Sequence, residues 1–158
     1  MKSLFMGTVL LASATAFAQV NVKIEDPWVR GTVMGQQATG AFMRITPEKN
    51  ARLVAAKSPV AGVVEIHEMA MVNDVMKMRQ IPGLDLAAGR AMDLKPGGYH
   101  VMLMDLKQVM KGGEQVSITL VFEDDAKKRF EVAVKAPVTA LGGGNAPAMK
   151  QDHSAHQH

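Results

Sequence analysis

The chain contains no cysteine, and this one absence removes several chemistries. There is no thiol nucleophile, no thiol–disulfide exchange, no Cys-based zinc site and no blue-copper centre with its Cys ligand. No disulfide can staple the fold, which must rest on burial and backbone hydrogen bonds; a chain of 158 residues can supply enough of both. Charge of one sign is also lacking. The formal net charge is only +3, basic residues are scattered among acids, and nothing forms the concentrated patch that nucleic acid requires. No Ser-His-Asp order, paired carboxylate pocket or phosphate-binding glycine loop is present. The chain therefore reads as a binding protein and not an enzyme.

Long apolar runs are confined to the N-terminus. Lys2 precedes a mostly apolar and small stretch from Leu4 to Phe17, and Ala16-Phe17-Ala18 offers an A-x-A cleavage pattern. The run falls short of the roughly 20 apolar residues that a membrane helix needs. Residues 1–18 are thus expected to be a cleavable signal peptide, cut after Ala18 to leave Gln19 first. The mature chain is expected outside the cytoplasm, most simply in a bacterial periplasm, with no membrane span.

From about Val20 to Val138 the sequence reads as strands and turns. Val20 to Ile24 alternates apolar and polar residues, Asp26-Pro27 interrupts, and Trp28-Val29-Arg30 resumes. A strand is expected over 39–46, ended by Pro47. The stretch 51–57 is ambiguous, because its Ala and Leu also favour helix. Segments 63–72 and 75–81 flank Asn73-Asp74, a hairpin turn signal. Pro96-Gly97-Gly98 separates Met92-Asp93-Leu94 from a clear strand at 99–106. Segments 115–122 and 130–134 complete the body. Short strands with frequent turns indicate a sandwich or barrel over residues 19–138. Trp28, the single tryptophan, is expected to anchor the core. Residues 139–158 begin with a glycine-rich linker and end in a polar, His-rich tail, expected to be disordered because it has little to bury.

The unusual component is methionine. Of 13 Met residues, many cluster between Met69 and Met104. If Asn73-Asp74 form a two-residue turn, Met71 faces Met76, Met69 faces Met78 and His67 faces Gln80. Side chains at i and i+2 share a sheet face, so His67, Met69 and Met71 lie on one side with Met76 and Met78 beside them. Val64 and Ile66 point the other way. A later strand repeats the arrangement, with His100, Met102 and Met104 on one face and Val101 and Leu103 on the other. Met is an ordinary core filler, so packing is the expectation for any one of these residues. Ligation is indicated by their combination in His67-Glu68-Met69 and His100-Val101-Met102. Thioether sulfur is soft, neutral and needs no deprotonation, and soft ligands select Cu(I). Imidazole binds copper in its neutral form. Zinc prefers thiolate, imidazole or carboxylate, and calcium and magnesium prefer oxygen. Residue chemistry alone leaves Met69 and Met104 as plausible as any other ligand.

The spacing His67, Met78, His100, Met102 fits the pattern H-x10-M-x21-H-x-M, and here the sequence resembles the periplasmic PCu(A)C copper chaperones. The likeness runs from Asp26-Pro27-Trp28-Val29-Arg30 to Val134 and includes Val64 to Met69, Met76 to Arg79 and Pro96 to Met104. It implies a cupredoxin-like Greek-key β-sandwich, with His67, Met78, His100 and Met102 holding Cu(I). It further implies delivery of copper toward the CuA centre of cytochrome c oxidase, alone or with a Sco-type partner. Met69, Met71, Met76 and Met104 fall outside the pattern, as surrounding soft donors or a hydrophobic rim. Copper storage or detoxification is the alternative role for the same ligands. A copper oxygenase of the kind that uses an N-terminal His is disfavoured by the expected Gln19 start. His153, His156 and His158, near Asp152 and Met149, form a second candidate site suited to Cu(II). Cu(I) binding should weaken as the site histidines protonate, below about pH 6.

Overall fold

A computed structural model describes residues 20–141. The expected signal peptide, residue 19 and the tail with Met149, His153, His156 and His158 lie outside the described residues. The structure is all β: β1 (Val22–Arg30), β2 (Ala38–Pro47), β3 (Ala51–Lys57), β4 (Ala61–Val72), β5 (Val75–Gln80), β6 (Leu84–Leu86), β7 (Met92–Leu94), β8 (His100–Leu106), β9 (Gln115–Asp124) and β10 (Arg129–Thr139). Hydrogen bonding runs β5-β4-β8-β2-β1-β10-β9-β3-β6, with β7 also pairing β2. The β1–β10 pair is parallel and joins two antiparallel halves.

Those halves enclose one core. Val29, Met43, Ile45, Ile66, Val101 and Leu103 enter it from one half, and Leu53, Ile118, Leu120 and Phe122 from the other. Each such side chain, once buried, contributes about 1.5–3 kcal/mol of hydrophobic stabilisation. The two-residue side-chain period along β4 and β8 places Ile66, Val101 and Leu103 inward, as the sequence pattern predicts. Their neighbours His67, His100 and Met102 therefore leave on the outer face of this half. Among the described residues, no helix is long and apolar enough to cross a membrane.

Several elements differ from expectation for identifiable reasons. Asp26-Pro27 does not break β1 but forms a bulge within it. Register shifts between Glu25 and Trp28, and Asp26 takes a φ of 48°, so one extra residue is absorbed and the strand continues. The ambiguous stretch 51–57 is strand β3, because β9 and β6 flank it on both sides. The short β6 carries too little periodicity to be seen in the sequence. Trp28 is not a core anchor. It is only partly buried and packs at a tilt against Phe42 with ring centroids 4.4 Å apart, and neither ring belongs to the central core cluster.

Candidate metal centre

The β4–β5 hairpin brings the first set of donors together. Asn73 and Asp74 adopt φ values of 51° and 62°, the left-handed pair that a two-residue type I′ turn requires. Asn and Asp tolerate this conformation better than most residues. The turn sets the register: Met71 opposite Met76, Met69 opposite Met78, and His67 opposite Gln80. Every residue of β5 is exposed, and Lys77 and Arg79 charge this edge strand, which discourages further strand addition. Met78 is 48% exposed and Met71 64%. Packing is thus not what these thioethers do, contrary to the expectation for an isolated Met.

The second set comes from β8. His67 pairs with His100 across β4–β8, and Glu65 pairs with Met102. On its other side, Met102 faces Gly40 of β2. The turn between β7 and β8 covers His100: Gly97 takes a φ of 83°, and Lys95 and Tyr99 close the loop through backbone hydrogen bonds. Both imidazoles are consequently buried, His67 at 9% exposure and His100 at 5%. Their ring centroids lie 5.7 Å apart.

An open cleft of about 290 Å³ lies over this face. Met69, Met78, His100 and Met102 line it, together with Phe42 and Arg30. His67 does not line the cleft; its ring sits beside His100 in the wall. The Phe42 ring spans the groove between Trp28 and His100, with a centroid 6.1 Å from that of His100. The Arg30 guanidinium rests 5.5 Å from the Phe42 ring centroid, a cation–π arrangement, and makes no ion pair among the described residues.

The polar atoms of the two histidines are disposed differently. His100 Nδ1 lies 3.0 Å from the Gly98 carbonyl. A neutral ring that donates there keeps a lone pair on Nε2. His67 Nε2 lies 2.7 Å from Glu65 Oε2, while His67 Nδ1 is buried and has no hydrogen-bond partner. An unpaired buried polar atom is uncommon and costly, so this one fits a site awaiting a ligand. Burial holds the His100 imidazole below the usual histidine range; the Gly98 carbonyl opposes that shift, and His67 and Arg30 reinforce it. The ring is thereby kept in the neutral form that binds metal.

Among the described residues, no group of three or more His, Cys, Asp or Glu is placed to hold a metal. The face that could hold one is the mixed imidazole and thioether face, suited to a soft ion. Sequence reasoning overlooked Glu65, Gly40, Phe42 and Arg30. Glu65 was detectable, since it lies two residues from His67 on the same strand face. The other three reach the site only through the β2–β8 pairing and the adjoining strand.

A family profile named for an LpqE-like lipoprotein matches residues 22–137. A protein of Leifsonia xyli subsp. xyli, named as a lipoprotein, is 32% identical over 115 residues, covering 72% of this chain and 69% of its own. Among solved structures, the copper-bound PCuAC domain from PmoF2 shares 28% identity with a TM-score of 0.60, covering 76% of this chain and 93% of its own. The Cu(I) form of DR1885 from Deinococcus radiodurans shares 28% identity with a TM-score of 0.52, covering 84% of each chain.

Proposed function

This chain belongs to the LpqE-like family of PCuAC-type, cupredoxin-like β domains, and on that premise we propose that it is an exported copper carrier. The copper-bound and Cu(I)-bound relatives support copper as the cargo. The lipoprotein naming of the matched family and of the Leifsonia protein supports export, to the periplasm after removal of residues 1–18. His67, Met78, His100 and Met102 hold the ion as Cu(I). The observation that carries this reading is the convergence of Met78 and Met102 on one cleft with His100, while the His67 ring lies 5.7 Å behind.

The geometry divides the labour between the ligands. The two imidazoles are buried and oriented by hydrogen bonds, so they form the fixed half of the site. Met78 stands at the exposed rim on an edge strand, where a partner's donor can replace it. All four donors are neutral, so a monovalent ion leaves without separating from a charged ligand. The exposed side chains of Met71 and Met76 lie beside this exit on the same face of the hairpin and suit a transient docking surface. The acceptor is the CuA subunit of cytochrome c oxidase, with a Sco-type chaperone as the accompanying partner. The His-rich tail collects Cu(II) for the same route.

Exposure of the rim also separates carriage from storage, since a sink gains from enclosing its ion. Cu(I)-loaded protein mixed with an apo CuA domain should lose its copper rapidly, as read from the metal content of the separated proteins. Retention of copper by the loaded chain would favour storage and overturn the carrier reading.

A further inference from the structure

We propose that Glu65 is a positioning residue for the copper site: its carboxylate holds His67 in the tautomer that leaves Nδ1 free for the ion. The inference rests on the copper reading above and deepens it. Glu65 and His67 are i and i+2 on β4, so both side chains leave the same face. Across β4–β8, Glu65 is opposite Met102 and His67 is opposite His100. The carboxylate is therefore set among the proposed ligands, on the outer face and away from the core.

A neutral imidazole carries one N–H and one lone pair. Glu65 Oε2 lies 2.7 Å from His67 Nε2, and an ionised carboxylate can only accept. The proton is accordingly placed on Nε2, and the lone pair falls on Nδ1, the buried atom with no hydrogen-bond partner. The opposite tautomer would set an Nε2 lone pair against the carboxylate oxygens and block Nδ1 with a proton. Glu65 thus selects the ligating nitrogen and orients the ring without touching the ion.

His100 reaches the same end by other means. Its Nδ1 lies 3.0 Å from the Gly98 carbonyl, which leaves Nε2 as its free nitrogen. Opposite nitrogens of the two rings are therefore available, one selected by backbone and one by a side chain. Only the second arrangement can be removed by substitution.

The test uses the full mature chain labelled with 15N-histidine. Long-range 1H–15N spectra of the metal-free protein are recorded above about pH 8, where imidazoles are neutral. Wild type should show His67 protonated on Nε2. Glu65→Ala should show a mixture of tautomers at His67 with the His100 signals in place, which also reports that the variant is folded. Glu65→Gln keeps a carbonyl acceptor and should retain the Nε2–H form. Cu(I) affinity, measured against a competing chelator, should fall about 10- to 100-fold in Glu65→Ala and be largely recovered in Glu65→Gln. A wild-type His67 protonated on Nδ1, or a tautomer unmoved by Glu65→Ala, overturns the positioning role. Equal loss in Glu65→Ala and Glu65→Gln also overturns it, because that marks a carboxylate bound directly to the ion. A wild-type chain with the expected tautomer that takes up no Cu(I) overturns the copper reading and this role together. A wrong tautomer beside intact Cu(I) binding overturns this role alone.

Discussion

Gly40 lies opposite Met102, and the Phe42 ring folds back across it. A Cβ added at Gly40 would stand 2.6 Å from Phe42 Cζ and 3.0 Å from Cε2. Tolerable contact begins near 3.4 Å, so the ring must give by about 0.8 Å. It has little room to do so, being 4% exposed and packed against Trp28 with ring centroids 4.4 Å apart. Forcing an enclosed ring aside costs about 1–3 kcal/mol. Alanine returns about 0.5–1 kcal/mol, because it loses less backbone freedom than glycine on folding. The net expectation for Gly40→Ala is therefore a loss of up to about 2.5 kcal/mol, or up to roughly 10 °C in Tm at about 4 °C per kcal/mol. Thermal unfolding followed by circular dichroism measures the loss. Emission from Trp28, the only tryptophan, should shift in the same variant because its packing partner moves. A Gly40→Ala protein with a raised Tm and wild-type emission would refute the claim that this glycine makes space for the aromatic wall of the cleft.

Three further outcomes are expected. The depressed His100 pKa makes stability depend on pH: the unfolded chain takes up a proton near the ordinary histidine value while the folded chain resists it. Stability contributed by neutral His100 is thus present above the ordinary value and is lost as pH falls from there toward the folded value. Urea midpoints measured across this range should show the slope, and His100→Gln should reduce it. Replacing Asn73, at φ 51°, by Val should cost about 1–2 kcal/mol and fray β5, so amide exchange should quicken at Met76 and Met78 before the core strands. Truncation after Leu141 should remove Cu(II) uptake and leave Cu(I) uptake intact; equal Cu(II) stoichiometry with and without the tail would contradict the role assigned to His153, His156 and His158.

The parts of this molecule that depend on local pattern were legible in its sequence. The hairpin register follows from period-two alternation plus Asn73-Asp74, and both were visible. The inward set Ile66, Val101 and Leu103 was equally plain. What escaped was set by pairing between distant segments. The bulge at Asp26-Pro27 exists because β2 holds both ends of β1 in place. Strand β3 is decided by β9 and β6, and not by the propensity of its own residues. Trp28 was misplaced because a large aromatic argues for burial without saying on which side of a sheet. Here its partner is Phe42, on the face away from the core. At the site, His67, Met78, His100 and Met102 were implied by the family resemblance whose pattern they fit, and residue chemistry alone did not single them out. The structure adds a distinction that spacing could not contain: Met78, His100 and Met102 border the cleft, whereas His67 stands in its wall beside Glu65.

The ligand assignment is tested most directly by Cu(I) titration against a competing chelator on wild type, Met78→Ala, His100→Ala and Met71→Ala. Met78 and Met71 are both exposed thioethers of the same hairpin, so a general methionine effect would strike them alike. At least a tenfold loss, about 1.4 kcal/mol, is expected for Met78→Ala and His100→Ala, with Met71→Ala close to wild type. Equal affinity across all four proteins would contradict it.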